Sequence, residues 1–267
     1  MKDKYTVITG ACGGLGQAFV KLLAEAGENL LLTGTSEKKL QDLTKKYAEA
    51  FKNIKIKTYV LNLASAEQRK GLIQFVKDND IEINKLINNA GVIIEGDTLS
   101  KSDEEIINAV EVNCVGTLDL TQKLLKNRNK EEKFEVLTVA SVASSYPIPH
   151  MAVYAATKSF LVSMMVSLAE ELKHENVVIT TTCPGGMATT DAMKESIKSM
   201  GFGGKLSCTE TDKVARQALK ALKRKKRVVV NGGFNKFLVV LSKPFSKNFL
   251  AKNTGKIWKK SQDKRNF

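Results

Sequence analysis

Tyr154-Ala155-Ala156-Thr157-Lys158 is the stretch of this chain whose residue types and spacing can move a proton. It lies near the start of a helical pattern running from about Met151 to His174. Residues four apart on a helix share a face, with Cβ atoms about 5–6 Å apart, so the phenol and the ammonium look into one space. A free tyrosine, with a pKa of about 10, is a weak acid-base group at neutral pH. A cation about 4.5 Å away in an effective dielectric of about 20 is worth ~4 kcal/mol, or about 3 pKa units. The spacing therefore predicts a phenol lowered toward neutrality, able to protonate a carbonyl oxygen or deprotonate an alcohol. The spacing alone is common and a helix-face lysine is ordinarily solvated, so the rest of the chain must supply the context.

That context begins at the N-terminus. Tyr5-Thr6-Val7-Ile8 reads as a buried strand, followed by Thr9-Gly10-Ala11-Cys12-Gly13-Gly14-Leu15-Gly16 and a helical pattern to about Ala26. A glycine-rich turn from strand into helix lets backbone N–H groups and the helix N-terminus approach a pyrophosphate without Cβ clashes. Strands then alternate with helices: Asn29–Gly34, Ile54–Leu61, Lys85–Ile87, Phe134–Ala140, Val177–Thr182 and Arg227–Val230 are strands. Helices are expected from about Ser36 to Ala50, from Ser65, from Asp103 to Lys126, over the Tyr154 stretch, and from Thr211 to Leu222. Ser65 with Gln68, and Ser102 with Glu105, have the spacing of capping boxes. Short apolar strands alternating with helices specify an α/β fold: a doubly wound parallel sheet of about seven strands with helices on both faces. Ligands of such sheets bind beyond the strand C-termini, where the unusual residues of this chain collect.

The 267 residues suit one domain that needs no disulfide staples. Cys12, Cys114, Cys183 and Cys208 are widely spaced, which fits reduced, packed thiols and a cytoplasmic protein. Met1-Lys2-Asp3-Lys4 carries no secretory signal, no apolar run is of membrane-spanning length, and no cluster of metal ligands is visible. The net charge of +14 is unevenly placed: from Lys213 to Phe267 there are 17 Lys and Arg against the single acid Asp263. Residues 1–230 read as the nucleotide-binding domain and 231–267 as a basic extension.

These motifs, in this order, resemble those of the short-chain dehydrogenase/reductase family over nearly the whole length to about Val230. The residues that carry the resemblance are Thr9-Gly10 with Gly14 and Gly16, Asn62-Leu63, Asn88 to Gly91, Asn113, Ser141 thirteen residues before Tyr154, Lys158, and Pro184-Gly185 with Thr189. The resemblance implies an oxidoreductase interconverting a carbonyl and an alcohol on a nicotinamide dinucleotide. It implies Tyr154 as acid-base and Ser141 as partner of the substrate oxygen, although a strand-end serine also caps local backbone. Lys158 would hold the nicotinamide ribose, and Asn113 a water in a proton relay. The cofactor would be lined by Gly10, Cys12, Gly13, Gly14, Leu15 and Gly16, by Asn62 and Leu63, by Asn89, Ala90 and Gly91, and by Pro184, Gly185, Met187 and Thr189. Asn62 stands where the family usually has Asp, and Met187 where Val or Ile is usual. Gly10-x-x-Gly13-x-x-Gly16 also fits extended nucleotide-sugar epimerases, and a catalytically idle nucleotide sensor is the alternative from another class. A homodimer or homotetramer built on the Asp103 and Met151 helices is the family habit.

An acid just after the second strand would bind the ribose hydroxyls of NAD and repel a 2′-phosphate. Here Thr35 and Ser36 carry hydroxyls and Lys38 is near, so NADP(H) is favoured over NAD(H). The segment of about 186–209, with Met193, Met200 and Phe202, is expected to close over an apolar small-molecule substrate or simply to pack down. In the extension, Phe234, Phe237, Leu238 and Leu241 form one helical stripe, and Phe245, Phe249, Leu250, Ile257 and Trp258 recur among Lys247, Lys252, Lys256, Lys259 and Lys260. This fits a basic amphipathic anchor, peripheral on an anionic membrane. A tail packed on its own domain or on a second subunit, with its lysines solvated, fits slightly better. Nucleic acid is disfavoured, because no binding module is present.

Overall fold

The computed structural model describes residues 3–189 and 206–262, apart from the side chains of 258 and 260–262. Seven strands form one sheet: β1 Lys4–Ile8, β2 Asn29–Gly34, β3 Ile56–Val60, β4 Glu82–Asn88, β5 Phe134–Val139, β6 Val177–Cys183 and β7 Val228–Val230. Their order is β3-β2-β1-β4-β5-β6-β7 and every pairing is parallel. The helices are α1 Gly14–Glu25, α2 Glu37–Ala50, α3 Ala66–Asp78, α4 Asp103–Val110, α5 Thr117–Lys126, α6 Ala152–Glu171, α7 Thr211–Lys223, α8 Gly233–Ser242 and α9 Lys247–Gln262.

The strands are apolar on both sides because both faces are covered, as in the run Leu30-Leu31-Leu32, which is fully buried. On one face Ile8, Leu32 and Leu137 pack with Phe19, Leu23, Val214 and Ala218 of α1 and α7. On the other, Val7, Leu31 and Val136 pack with Leu72, Leu120, Leu124 and Met165 of α3, α5 and α6. At the N-terminal ends of the strands, buried Lys85 pairs with Glu28 at 2.6 Å and Glu135 at 3.5 Å. The opposite, C-terminal ends carry the glycine turn after β1 and the Asn89 turn after β4. Because β1 is flanked by β2 on one side and β4 on the other, the strand order reverses there and leaves a crevice.

Three local features differ from the sequence expectation. Ser102 makes the full capping box with Glu105, but Ser65 makes only half of one. Its hydroxyl accepts the Gln68 N–H, while the Gln68 side chain turns to the Asn62 N–H at 2.7 Å and ties the β3 exit to α3. The helix expected from Asp103 to Lys126 is interrupted by a π-wound segment, Glu111–Gly116. There Gly116 lies so close to the β3 exit that a Cβ would come within 2.4 Å of the Leu63 carbonyl oxygen, and Asn113 is turned fully inward. Finally, α6 is long and apolar enough to cross a membrane by length and composition, contrary to the expectation that no segment is. It lies instead along β6, with Leu161, Met165 and Lys158 buried.

Candidate active site

The glycine turn is fastened to the β4 exit by reciprocal hydrogen bonds. Thr9 Oγ1 accepts the N–H groups of Asn89 and Ala90, both at 3.0 Å, and Asn89 Nδ2 donates to the Thr9 and Gly10 carbonyls, also at 3.0 Å. Gly10 sits at φ +62°, and a Cβ there would come within 2.9 Å of Ala90 Cα, so only glycine meets both the conformation and the approach. The N-terminus of α1 has no side-chain cap and no acid in its first turn. Its free N–H groups and the positive end of the helix dipole therefore face the cleft, which fits the pyrophosphate of a dinucleotide.

The cleft measures about 1110 Å³, larger than the roughly 300–1,000 Å³ of a usual small-molecule site, and so has room for a dinucleotide and a second compound. Gly10, Cys12, Gly13, Gly14, Leu15 and Gly16 line one end, with Thr35, Ser36, Asn62 and Leu63 beside them. Asn89, Ala90 and Gly91 form its middle, and Pro184, Gly185, Met187 and Thr189 cross above it. A Cβ on Gly14 would come within 2.7 Å of the Thr189 side chain, so the segment after β6 rests directly on the start of α1. Burial pushes the Cys12 thiol up, and Lys39 opposes this weakly. The phosphate end therefore carries no thiolate at neutral pH. Met193, Met200 and Phe202 lie outside the described residues.

One expected member is misplaced by a single position. Lys39, not Lys38, lines the cleft beside Thr35 and Ser36. Ser36 caps α2 through the Lys39 N–H; both lysines are exposed, and of the two it is Lys39 whose register borders the cleft.

At the far end stand Ser141, Tyr154 and Lys158. Lys158 is 4% exposed, and its ammonium donates to the Val139 carbonyl at 3.0 Å. Gly91 makes room for it, since a Cβ there would lie 3.1 Å from Lys158 Nζ and 3.2 Å from Asn113 Oδ1. Burial lowers the Lys158 pKa to about 8. Lys158 Nζ lies 5.7 Å from the Tyr154 ring centre. Desolvation dominates at the phenol, which is pushed up against the pull of a hydrogen bond with Ser141. The expected lowering of the Tyr154 phenol is thus corrected, because its own burial dominates and the ammonium is turned to Val139.

Ser141 also keeps the local role open to it from the sequence. Its Oγ accepts the Ala143 N–H at 3.1 Å and starts the turn Val142–Ser145. Asn113 does not line the cleft. Its Nδ2 donates to the Val92 carbonyl at 2.9 Å and to Thr157 Oγ1 at 3.1 Å, and its Oδ1 accepts the Val92 N–H at 2.8 Å. Its side chain therefore clamps the β4 exit to α6 from below. Sequence reasoning missed the substrate-end wall: Tyr146, Ile148 and Met151 before α6, and Phe234, Leu238 and Ile257 from α8 and α9. The Phe234–Leu238 spacing was visible as a helical stripe, but not the cavity it faces.

A sequence model of the short chain dehydrogenase family matches residues 4–200. The chain belongs to that family, a class of NAD(P)-dependent oxidoreductases. The very-long-chain 3-oxoacyl-CoA reductase of Neurospora crassa is 33% identical over 180 residues, 66% of this chain and 54% of that protein. The chain thus spans about half the length of that relative. The 3-oxoacyl-acyl-carrier-protein reductase of Haemophilus influenzae is 28% identical over 212 residues, 77% of this chain and 86% of that protein. Among solved structures, the fold is similar to a 7beta-hydroxysteroid dehydrogenase, with TM-score 0.82 and 20% identity over 94% of this chain and 96% of that one. It is also similar to the L-sorbose reductase of Gluconobacter frateurii complexed with NADPH and L-sorbose, with TM-score 0.77 and 18% identity over 87% and 96% of the two chains.

The depressed Lys158 pKa has a thermodynamic signature. In the unfolded chain the lysine keeps its proton to about 10.5, whereas in the fold it releases it near 8. Between those values the unfolded state binds more protons, so stability rises with pH, by on the order of 3 kcal/mol in all. Thermal unfolding of the ligand-free protein and of Lys158→Met is expected to show the variant gaining most, relative to the parent, below pH 8. That gap should shrink toward pH 10. A gap that does not change with pH would contradict the burial of a charged ammonium.

Proposed function

We propose that the chain transfers a hydride between NADP(H) and the carbonyl or alcohol carbon of an apolar compound. The observation that carries this reading is the meeting, in one cleft, of an uncapped glycine cradle with Ser141, Tyr154 and the buried Lys158. The bound nicotinamide would supply or accept the hydride. Ser141 Oγ and the Tyr154 hydroxyl would hold the substrate oxygen, and the phenol would donate its proton to that oxygen on reduction or take it back on oxidation. A phenol raised by burial remains protonated at neutral pH and is ready to act as an acid. Lys158, which loses its proton near 8, is a proton source of suitable strength to restore it. Asn113 is a positioning residue that fixes Val92 and Thr157 beneath this pair.

The preference for NADP(H) is supported by Thr35, Ser36 and Lys39 at one wall of the cleft and by the uncharged Cys12 thiol. The apolar wall at the other end favours a compound with a hydrocarbon body over a polyol. With two relatives bearing the names of 3-oxoacyl reductases, 3-oxoacyl thioesters are the first class to try. Exposed Ile107, Val115, Leu118 and Phe160 on the outer sides of α4, α5, α6 and the π-wound segment support a pairing of two copies there.

Tyr154→Phe is expected to leave NADPH binding, read by fluorescence titration, unchanged and to lower turnover by about 10²–10⁴-fold. Retained turnover would overturn the role. Thr35→Asp is expected to weaken NADPH binding at least tenfold while sparing NADH, through repulsion of the 2′-phosphate, with tenfold corresponding to about 1.4 kcal/mol. Equal loss for both cofactors would count against the NADP(H) reading.

A further inference from the structure

The C-terminal helices divide their apolar residues between two surfaces. Phe234 and Leu238 of α8 line the cleft. Phe237, Val240 and Leu241 of the same helix are exposed, as are Phe245, Phe249 and Ile257. Phe245 and Phe249 stack on one another with ring centres 4.8 Å apart, and a tight turn, with the Phe245 N–H donating to the Ser242 carbonyl at 3.2 Å, links the two helices. Lys236, Lys243, Lys247, Lys252, Lys256 and Lys259 flank these residues and are exposed, with no acid between Lys213 and Gln262.

This surface is held to the domain. Asn231 and Asn235 are buried, with Thr182 Oγ1 donating to Asn231 Oδ1 at 2.6 Å and Asn235 Nδ2 donating to the Ser207 carbonyl at 2.9 Å. In α9, Thr254 Oγ1 donates to the Pro147 carbonyl at 2.9 Å. Ile257 belongs to both surfaces, being exposed and at the same time part of the cleft wall. The exposed apolar face therefore reaches the mouth of the cleft.

We infer that the outer face of α8 and α9 docks on an anionic lipid bilayer, with Phe237, Leu241, Phe245 and Phe249 entering the interface and the lysines meeting the headgroups. Aromatic and aliphatic residues flanked by lysine are the composition of helices that lie in a membrane interface. A second copy of the chain is the poorer occupant, because a two-fold contact through this face would set the same lysines against each other. Docked in this way, the cleft mouth at Ile257 faces the lipid, and an amphiphile with a hydrocarbon chain could enter from the bilayer. Only this entry route rests on the hydride-transfer reading.

The test is sedimentation of the whole protein with vesicles of phosphatidylcholine alone and of phosphatidylcholine with phosphatidylglycerol. Binding to the second, weakened by salt and by roughly fivefold for each lysine lost, is expected. Phe245→Glu/Phe249→Glu, and separately Lys252→Glu/Lys256→Glu, should abolish it while leaving the NADPH titration and Tm unchanged. No binding to anionic vesicles would overturn the proposal. So would a protein that dimerises in solution and loses its dimer in these variants. Failure of vesicle binding with NADPH binding intact would leave the enzymatic reading standing, and the converse result would leave the docking surface standing.

Discussion

Everything at the chemical end of this cleft depends on holding the ammonium of Lys158 out of water against a neutral backbone carbonyl. Val139, at the end of β5, supplies that carbonyl, and α6 supplies the lysine. Among the described residues no carboxylate is bonded to it, and the Cys114 and Cys183 sulfurs offset its desolvation only in part. Such a charge persists only if the surroundings are rigid, because an uncompensated buried ion is costly. The nearby structure provides that rigidity. Gly91 gives it space, Asn113 ties the β4 exit to α6, and the π-wound turn is what brings Asn113 inward.

The same burial acts on Tyr154 in the opposite sense. Desolvation disfavours the charged form of each group, so it raises the phenol and lowers the lysine. Two groups whose ordinary values are close, at about 10 and about 10.4, are thereby separated, and the lysine becomes the stronger acid of the two. A pair separated in this way has assigned roles. In the proposed reaction the phenol would carry the proton at the substrate oxygen, and the lysine, which releases its proton near 8, would restore it.

Much of the architecture was legible because it rests on periodicity. Apolar runs such as Leu30-Leu31-Leu32, bounded by glycine and capping serines, specify buried parallel strands and their helices with few alternatives. The glycine turn was legible because Gly10 and Gly16 occupy positions where a Cβ would strike Ala90 or the Gly10 carbonyl. What escaped was whatever depends on the tertiary direction of a side chain. Lys38 and Lys39 differ by about 100° around a helix, and only the cap at Ser36 decides which one reaches the cleft. Asn113 reads in sequence as a polar residue in a helix, and a π-wound turn has no local signature there. The phenol shift reversed sign because sequence spacing yields a pair distance but not a depth of burial. The stripe of α8 was read as one face, yet Phe234 with Leu238, and Phe237 with Leu241, serve two different surfaces.

The measurement closest to this account is the titration of the Lys158 Nζ itself, by heteronuclear NMR of the ligand-free protein, with Lys158→Met identifying the signal. A midpoint near 8 is predicted. A midpoint at or above the ordinary lysine value of about 10.4 would mean that the ammonium is solvated or paired, and would contradict the desolvated lysine on which the site is built.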